Sequence, residues 1–457
     1  MTLHILILAA GKGTRMNSNL PKLMQPLAGI PLLEHVIKTA EELKPKKIHV
    51  VYGNGKEEVE SKLSHLNVNW IYQAEQLGTG HAVLQALPFI EDEADVLILF
   101  CDVPLLTLTT LQQFLQVLQT NSIGILTTDL LEPRHYGRII RDNSGDVVGI
   151  VEYKDATQEE KEIKEVNSGI FAAKAKVLKK YLQYIKANNA QKEYYLTDIV
   201  KLAVTDGLQV SAVKTLNNEE ILGINDKIEL ANAERIYQRN LARDLMLRGL
   251  TLIDPNRFDV RGNLTFGKDV TIDVNVIVEG DVKLGDNVII EQNVYLKNVE
   301  IYNNVRIRAN SIVEGAIIED NCIVGPFARI HSKSVLHTAA CIGNFVEVKN
   351  AEIGNRSKAK HLTYLGDALI GDDVNVGAGV IICNYDGANK YQTVIEDGAF
   401  IGSDSQLVAP VKIGKNSYIG TGSTITHDTP ENKLTVARAR QVVVEHWQPP
   451  KKGVRKK

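Results

Sequence analysis

The sequence is short of the residues that staple a small fold or hold a membrane. Its 457 residues include only four cysteines and two tryptophans, and aromatic residues make up 6%. Cys101, Cys322, Cys341 and Cys383 are scattered without the spacing of a disulfide framework or a metal site, so they read as structural thiols in a reducing compartment. Neither sign of charge is in much excess: the formal net charge is -3, which argues against a nucleic-acid partner. No apolar run is long enough to span a bilayer, and the apolar start LHILILAAGKG lacks a basic leader and a small-residue cleavage site. These absences point to a soluble cytoplasmic protein that uses neither nucleic acid nor membrane. The one strongly biased segment, the terminal KKGVRKK, reads as a solvated, mobile tail. A chain of this length has core enough for two or three domains.

What is present is a repeat. Phe266, Ile272, Val278, Leu284, Ile290 and Leu296 recur at every sixth position, and Val324, Ile330, Leu336, Ile342 and Val348 continue the series after single five-residue steps. It resumes as Ile401, Leu407, Ile413, Ile419 and Ile425. A period of six is neither helical nor a plain strand alternation. A coil with three flat faces fits it, each hexad giving one short strand with one inward aliphatic side chain. The Gly or Asn that often follows (Gly285, Gly325, Gly343, Gly402, Gly414) is expected at the corner, where positive φ is cheap for those residues. The pattern resembles the left-handed parallel β-helix of hexapeptide-repeat acyltransferases; the handedness is implied by the resemblance alone.

Before the repeat, apolar runs alternate with helical stretches. His4 to Leu8, Ile48 to Tyr52, Val96 to Phe100 and Ile123 to Leu126 read as buried strands, with helices such as Pro31 to Leu43 between them. This is an α/β doubly wound pattern, whose ligands sit beyond the carboxyl ends of the strands. The first strand runs into Leu8-Ala9-Ala10-Gly11-Lys12-Gly13-Thr14-Arg15, a small-residue turn that lets backbone N–H groups approach phosphates while Lys12 and Arg15 add positive charge. It is neither a dinucleotide fingerprint nor a P-loop. Phe100-Cys101-Asp102 ends another strand and puts a carboxylate at the sheet's carboxyl edge, a candidate Mg²⁺ ligand. From Asp226 to Arg248, Leu230, Ala233, Tyr237, Leu241 and Leu245 recur at helical spacing, so one helix joins the halves, with Asn225 and Asp226 at its start and Gly249 at its end.

Within the repeat the hexads falter twice, between Gly354 and Ile370 and between Ile382 and Ile401, where insertions are expected to leave the solenoid as loops. The first break holds Lys360-His361-Leu362-Thr363-Tyr364, the second Asn384-Tyr385-Asp386-Gly387.

The turn Leu8 to Arg15 followed by Leu20-Pro21-Lys22-Leu23 resembles the signature of sugar-phosphate nucleotidyltransferases. Joined to HLTYLGD and NYDGANK, it makes the whole chain resemble the bacterial bifunctional N-acetylglucosamine-1-phosphate uridyltransferase / glucosamine-1-phosphate N-acetyltransferase family. The resemblance implies an α/β doubly wound nucleotidyltransferase domain at 1–224, a helical linker at 225–249, and a left-handed β-helix acetyltransferase domain with its tail at 250–457. It implies Mg²⁺, held by Asp102 and Asn225, and substrates UTP, N-acetylglucosamine 1-phosphate, glucosamine 1-phosphate and acetyl-CoA. For the first site it implies Arg15 and Lys22 at the phosphates, Leu8, Ala9, Ala10 and Gly11 in the turn, and Gln73, Gly78 and Thr79 for uracil and ribose. Phe100 and Cys101 border that site, and Gly137, Glu152 and Asn167 contact the sugar and ribose.

For the second site the resemblance implies His361 as the base, with Glu347 to orient it or hold the sugar. It places Arg329, Lys349 and Tyr364 on the sugar phosphate and Asn375 and Asn384 on the sugar. It places Ala378, Asn384, Tyr385, Ser403, Thr421 and Arg438 along acetyl-CoA, and it implies a homotrimer whose solenoids share this site. A single-function nucleotidyltransferase with a merely regulatory solenoid stays open as an alternative, though it has no reason to carry His361 with Asn384-Tyr385. So does a scaffold that has lost both activities, against which Lys22, Asp102, Asn225 and His361 stand intact.

Overall fold

The computed structural model describes residues 2–53, 56–120 and 123–449, so the basic tail from Lys451 to Lys457 lies outside the described residues. The chain forms two compact units, residues 1–240 and 241–457. The division falls inside one helix, Lys227–Leu247. Leu230, Ala233 and Tyr237 of that helix pack with Met16 and Leu27 of the first unit, while Ala242 and Leu245 join the solenoid core of the second. Asp226 starts the helix, its Oδ1 accepting the N–H groups of Ile228 and Glu229. Gly249 ends it at φ +106°, donating to the Met246 carbonyl.

The first unit is built on a nine-stranded sheet whose main path runs Val210–Lys214, Ile123–Asp129, Glu165–Lys174, Asp95–Phe100, Leu3–Ala9, Lys47–Tyr52, Asn69–Tyr72. Glu165–Lys174 is antiparallel to its neighbours and the other pairs on that path are parallel. Side-chain alternation splits each strand between two cores. Leu6 and Leu8 face one helical layer with Val83 and Leu178, and Ile5, Ile7 and Ala9 face the other with Leu33 and Phe114. The first helix is Leu32–Glu42. All the carboxyl ends of the parallel strands therefore open on one edge, which is where the glycine turn and Asp102 lie.

The second unit is a left-handed parallel β-helix whose 25 short strands pair coil to coil. Val278, Leu296, Val313, Ile330, Val348 and Leu365 stack in register with their side chains buried, one per coil. The corners match the sequence expectation at asparagine and depart from it at most of the named glycines. Of the five glycines expected there at positive φ, only Gly325 has it, at φ +94°. Among the described residues of the solenoid, asparagine takes the left-handed conformation more often than any other residue type, as at Asn275, Asn287, Asn293, Asn304 and Asn310. They also bond across coils, as in Asn287 Nδ2 to Asn304 Oδ1 at 3.1 Å and Asn293 Nδ2 to Asn310 Oδ1 at 3.1 Å. Gly285, Gly343, Gly402 and Gly414 are glycines for another reason: a Cβ there would strike the next coil, at Gly402 2.5 Å from the Ile419 carbonyl oxygen.

The first of the two expected loops is absent. Lys358–Gly366 is a strand paired with Cys341–Lys349, with Ala359 and Leu365 filling the inward positions. Only the inward residue of each hexad sustains the core, so the polar residues between them do not interrupt it. The second break does leave the solenoid: Ile382 pairs with Leu407 across a loop closed by Tyr391 N–H to the Asn384 carbonyl.

Candidate active sites

At the carboxyl edge of the first sheet the chain turns sharply. Gly13 takes φ +61° and a Cβ on it would lie 2.8 Å from Lys22 Cβ, so the turn packs against Lys22 only because the residue is glycine. Met16 is buried and holds the turn, leaving Arg15 in solvent. Leu23 and Met24 are likewise buried and push Lys22 the other way. Its Nζ donates to Asp102 Oδ2 and, at 2.8 Å, to Asn225 Oδ1. The Ile224 N–H donates to the Asp102 carbonyl at 2.8 Å, tying the segments that carry Asp102 and Asn225 together. Because Asp226 alone caps the helix, the Asn225 side chain is left to face Lys22.

Asp102 and Asn225 open onto a cleft of about 1010 Å³, also lined by Arg15, Thr79, Phe100, Gly137, Glu152 and Asn167. These eight residues, with Lys22 bonded to two of them, are the part of the expected set that the fold brings together. Burial pushes the Glu152 carboxyl up, and Thr197 Oγ1 donates to it at 3.1 Å. Gly137 sits over Glu152, its carbonyl accepting the Asn167 N–H at 2.9 Å.

Three expected contacts have other employment. Gln73 is 1% exposed with its amide nitrogen 2.8 Å from His81 Nδ1, so its amide serves His81 and does not line the cleft. Gly78, at φ +116°, admits the Tyr194 backbone, which a Cβ would meet at 2.6 Å. The Cys101 thiol points into the core, and burial pushes it up to about 12. Leu8, Ala9 and Ala10 are buried, and Gly11 is exposed on the turn that follows.

On the solenoid, His361 lies on a corner. Its Nδ1 is 2.8 Å from Asn344 Oδ1, one coil earlier and in register. With the amide presenting its oxygen, Nδ1 carries the hydrogen and Nε2 keeps its lone pair. Glu347 does not orient His361; its Oε1 is 2.8 Å from His331 Nε2. Along the same corner the coils bond as Gly379 N–H to the Leu362 carbonyl, Asp404 N–H to that of Ala378 and Gly422 N–H to that of Ser403. His361, Ala378, Ser403 and Thr421 therefore form one line, ended by Arg438, whose guanidinium donates to the Thr421 carbonyl at 2.6 Å.

Arg329, Glu347 and Tyr364 are stacked on one face beside that line, and Lys349 lies at its far end. Arg329 is bound to Glu314. Asn375 pairs with Lys358 and Phe400 on the neighbouring face, away from this group. Asn384 is buried and braces the far corner through Asp367 Oδ2 at 2.5 Å, while Tyr385 is exposed on the loop.

Sequence reasoning missed Asn344, His331, Thr197 and Tyr136, whose hydroxyl accepts the Gly223 N–H at 3.0 Å and so steadies the segment that carries Asn225. For Asn344 and His331 the signal was the coil step itself, which places each beside a motif residue far along the chain. Thr197 and Tyr136 carry no local signal. No group of three His, Cys, Asp or Glu side chains is placed to hold a metal among the described residues.

Residues 5–143 match the MobA-like NTP transferase domain, residues 260–353 the GMPPB C-terminal domain, and residues 392–427 six bacterial transferase hexapeptide repeats. A crystal structure of UDP-glucose pyrophosphorylase with UDP-glucose is 18% identical, covers 52% of this chain and 100% of its own, and has a TM-score of 0.45. The bifunctional protein GlmU of Methylococcus capsulatus is 54% identical over 454 residues, 99% of this chain and 98% of that one. The bifunctional protein GlmU of Ruthia magnifica is 52% identical over 450 residues, 98% of this chain and 99% of that one. Identity this high over nearly the full length, on a nucleotidyltransferase unit joined to a hexapeptide solenoid, makes the chain a member of the bifunctional GlmU family.

Proposed function

We propose that Asp102 and Asn225 hold Mg²⁺ in the first unit, that Arg15 and Lys22 neutralise the phosphates there, and that His361 is the base of the second. The enzyme makes UDP-N-acetylglucosamine in two steps: acetyl passes from acetyl-CoA to glucosamine 1-phosphate, then uridylyl passes from UTP to N-acetylglucosamine 1-phosphate with release of pyrophosphate. Both donors are soluble metabolites, in keeping with the cytoplasmic placement expected from the sequence, and no helix among the described residues is long and apolar enough to cross a membrane.

Uridylyl transfer needs no side-chain base, because a sugar 1-phosphate is already an anionic nucleophile. The task is to bring it in line with the α-phosphorus against electrostatic repulsion. Asp102 and Asn225 offer hard oxygen donors on either side of Lys22 Nζ, and they would hold Mg²⁺ once that ammonium turns to the phosphates. Bound there, the metal supplies charge neutralisation at the phosphates. Arg15 adds charge from the turn, and the Glu152 carboxyl, with Asn167 beside it, offers acceptors for sugar hydroxyls.

In the solenoid, His361 Nε2 takes the proton that the sugar's amine loses as its nitrogen attacks the thioester carbonyl; the bond to sulfur breaks and coenzyme A leaves as its thiol, taking that proton from the imidazolium. Asn344 fixes the tautomer. The line Ala378, Ser403, Thr421 is small and open enough for the pantetheine arm to lie along it. The single observation that carries this reading is the pairing of His361 Nδ1 with Asn344 Oδ1 on that line. Stacked aromatic pairs left exposed on the solenoid, Phe327 with Phe345 and Phe400 with Tyr418, support a homotrimer that covers them. Free thiol released from acetyl-CoA on adding glucosamine 1-phosphate without UTP tests the assignment. Release by the intact chain that is lost in His361→Ala supports it, and no release by either returns the solenoid to a regulatory role.

A further inference from the structure

The corner that carries His361 has one residue per coil in the left-handed conformation, and the residue type changes along it. Asn293 and Asn310 hold it at φ +59° and +60°. Phe327, Phe345 and Leu362 follow at +54°, +57° and +48°, and Gly379 and Asp404 come next at +76° and +58°. Backbone bonds carry the corner from coil to coil, as in Phe345 N–H to the Phe327 carbonyl and Gly379 N–H to the Leu362 carbonyl. Asparagine, aspartate and glycine adopt this conformation readily, whereas bulky side chains are strained in it. Burial does not explain the three that do: Phe327, Phe345 and Leu362 are 49%, 56% and 61% exposed. Backbone strain held beside reacting groups is one way a site is shaped.

The three make an apolar ridge that stops at His361. The Phe327 and Phe345 rings stack with centroids 5.4 Å apart. Leu362 stands beside Phe345, because Asn344 pairs with His361 and Val346 with Thr363. On the next coil Gly379 has no side chain, and there the small line Ala378, Ser403 and Thr421 begins. His361 therefore sits at a step between a bulky corner and a bare one.

We propose that Leu362 is the wall that limits the acyl group, selecting acetyl over longer acyl thioesters. The proposal rests on the acetyltransferase reading of this unit. A thioester arm lying along Ala378, Ser403 and Thr421 brings its carbonyl to His361 and its acyl carbons against the end of the ridge. Adjacent coils lie about 4.8 Å apart, and carbon atoms in contact need about 3.5–4.0 Å. One methyl group fits in that step, and a further methylene meets the Leu362 side chain. The transfer itself is the same for a longer group: the amine nitrogen bonds to the acyl carbon, the bond to sulfur breaks, and coenzyme A leaves as its thiol.

The test is thiol release from acetyl-CoA and from propionyl-CoA on adding glucosamine 1-phosphate, read as kcat/KM for each thioester. It compares the wild-type chain with Leu362→Asn, Leu362→Gly and Phe345→Asn. Asparagine and glycine both suit the left-handed corner, so neither replacement at Leu362 should lower the unfolding temperature. One methylene against an apolar wall changes kcat/KM by roughly ten- to two-hundredfold, and wild type is expected to prefer acetyl-CoA by a factor in that range. Both Leu362 variants should raise kcat/KM for propionyl-CoA by roughly tenfold or more. Phe345→Asn, one coil back on the ridge, should keep the wild-type preference. A preference that persists in both Leu362 variants, or falls only because acetyl-CoA turnover falls, overturns the proposal. So does an equal change in Phe345→Asn, or an assembly that dissociates in the Leu362 variants with the preference unaltered. Absence of thiol release from acetyl-CoA by the wild-type chain overturns the acetyltransferase reading itself.

Discussion

Lys22 Nζ lies 2.8 Å from Asn225 Oδ1, joining the second short helical turn after the glycine loop, Lys22–Met24, to a residue far along the chain. The same nitrogen donates to Asp102, so one cation sits between the two oxygens proposed for the metal. Each of the three comes from a different segment, and none has meaning for phosphate chemistry without the others.

Removing the Asp102 charge should therefore stop uridylyl transfer while leaving acetyl transfer in place. Asp102→Ala is expected to lower pyrophosphate release by roughly two to four orders of magnitude. Thiol release by the same preparation, unchanged, is the control for folding. Pyrophosphate release within a few fold of wild type would remove Asp102 from the metal site.

His361 and Asn344 should differ in degree. His361→Ala is expected to cost roughly 10² to 10⁴ in kcat for acetyl transfer, the usual contribution of a general base. Asn344→Ala keeps the base but frees its ring, and a loss on the order of tenfold in kcat is expected with little change in KM. Equal losses in the two variants would make Asn344 more than an orienting group.

Close approach of coils, rather than backbone conformation, should decide the cost at Gly402. An alanine Cβ there would lie 2.5 Å from the Ile419 carbonyl oxygen, backbone that cannot swing aside. Gly402→Ala is expected to destabilise the protein by about 1–3 kcal/mol, as overpacking does. Gly149→Ala, where nothing lies within 4 Å of the added atom, is expected to cost less than about 0.5 kcal/mol. Thermal unfolding of both variants separates the two cases.

Acid should weaken the first unit through its buried histidines. Asn69 Nδ2 lies 3.0 Å from His49 Nδ1, His49 Nε2 lies 2.9 Å from His4 Nδ1, and His4 Nε2 lies 3.0 Å from Glu91, a chain that suits neutral rings. Burial lowers His49 from 6.5 to about 4, and burial also lowers His4 and His35. Between those two values the unfolded chain binds more protons than the folded one, so stability is full above about pH 6.5 and is lost as the pH falls toward 4. For His49 the loss is at most about 3 kcal/mol. Unfolding midpoints from pH 7 to 4.5 should fall more steeply in wild type than in His49→Gln; parallel curves would show that His49 does not titrate in that window.

The legible part of the molecule was the part with a short period. Inward positions such as Ile330, Leu336 and Ile342 follow from spacing alone, because a residue every sixth position is a local property of the chain. The corner asparagines were legible too, but the glycines were not: Gly285 and Gly402 look like conformational residues until the next coil shows that there is no room for a Cβ. Lys358–Gly366 looked like a loop because its polar residues are conspicuous and its inward Ala359 is small.

The order of apolar runs, the glycine turn and the six-residue repeat by themselves determined two units, one α/β and one solenoid, since burial of periodic apolar side chains admits few alternatives. Partnerships needed the tertiary structure. Whether Glu347 serves His361 or His331, whether Gln73 faces the cleft or His81, and whether Arg329 is free or held by Glu314 depend on atoms brought within about 3 Å by neighbouring coils and strands. Hydrogen bonds and ion pairs act over that range, and residues far apart along the chain enter it only when the chain has folded.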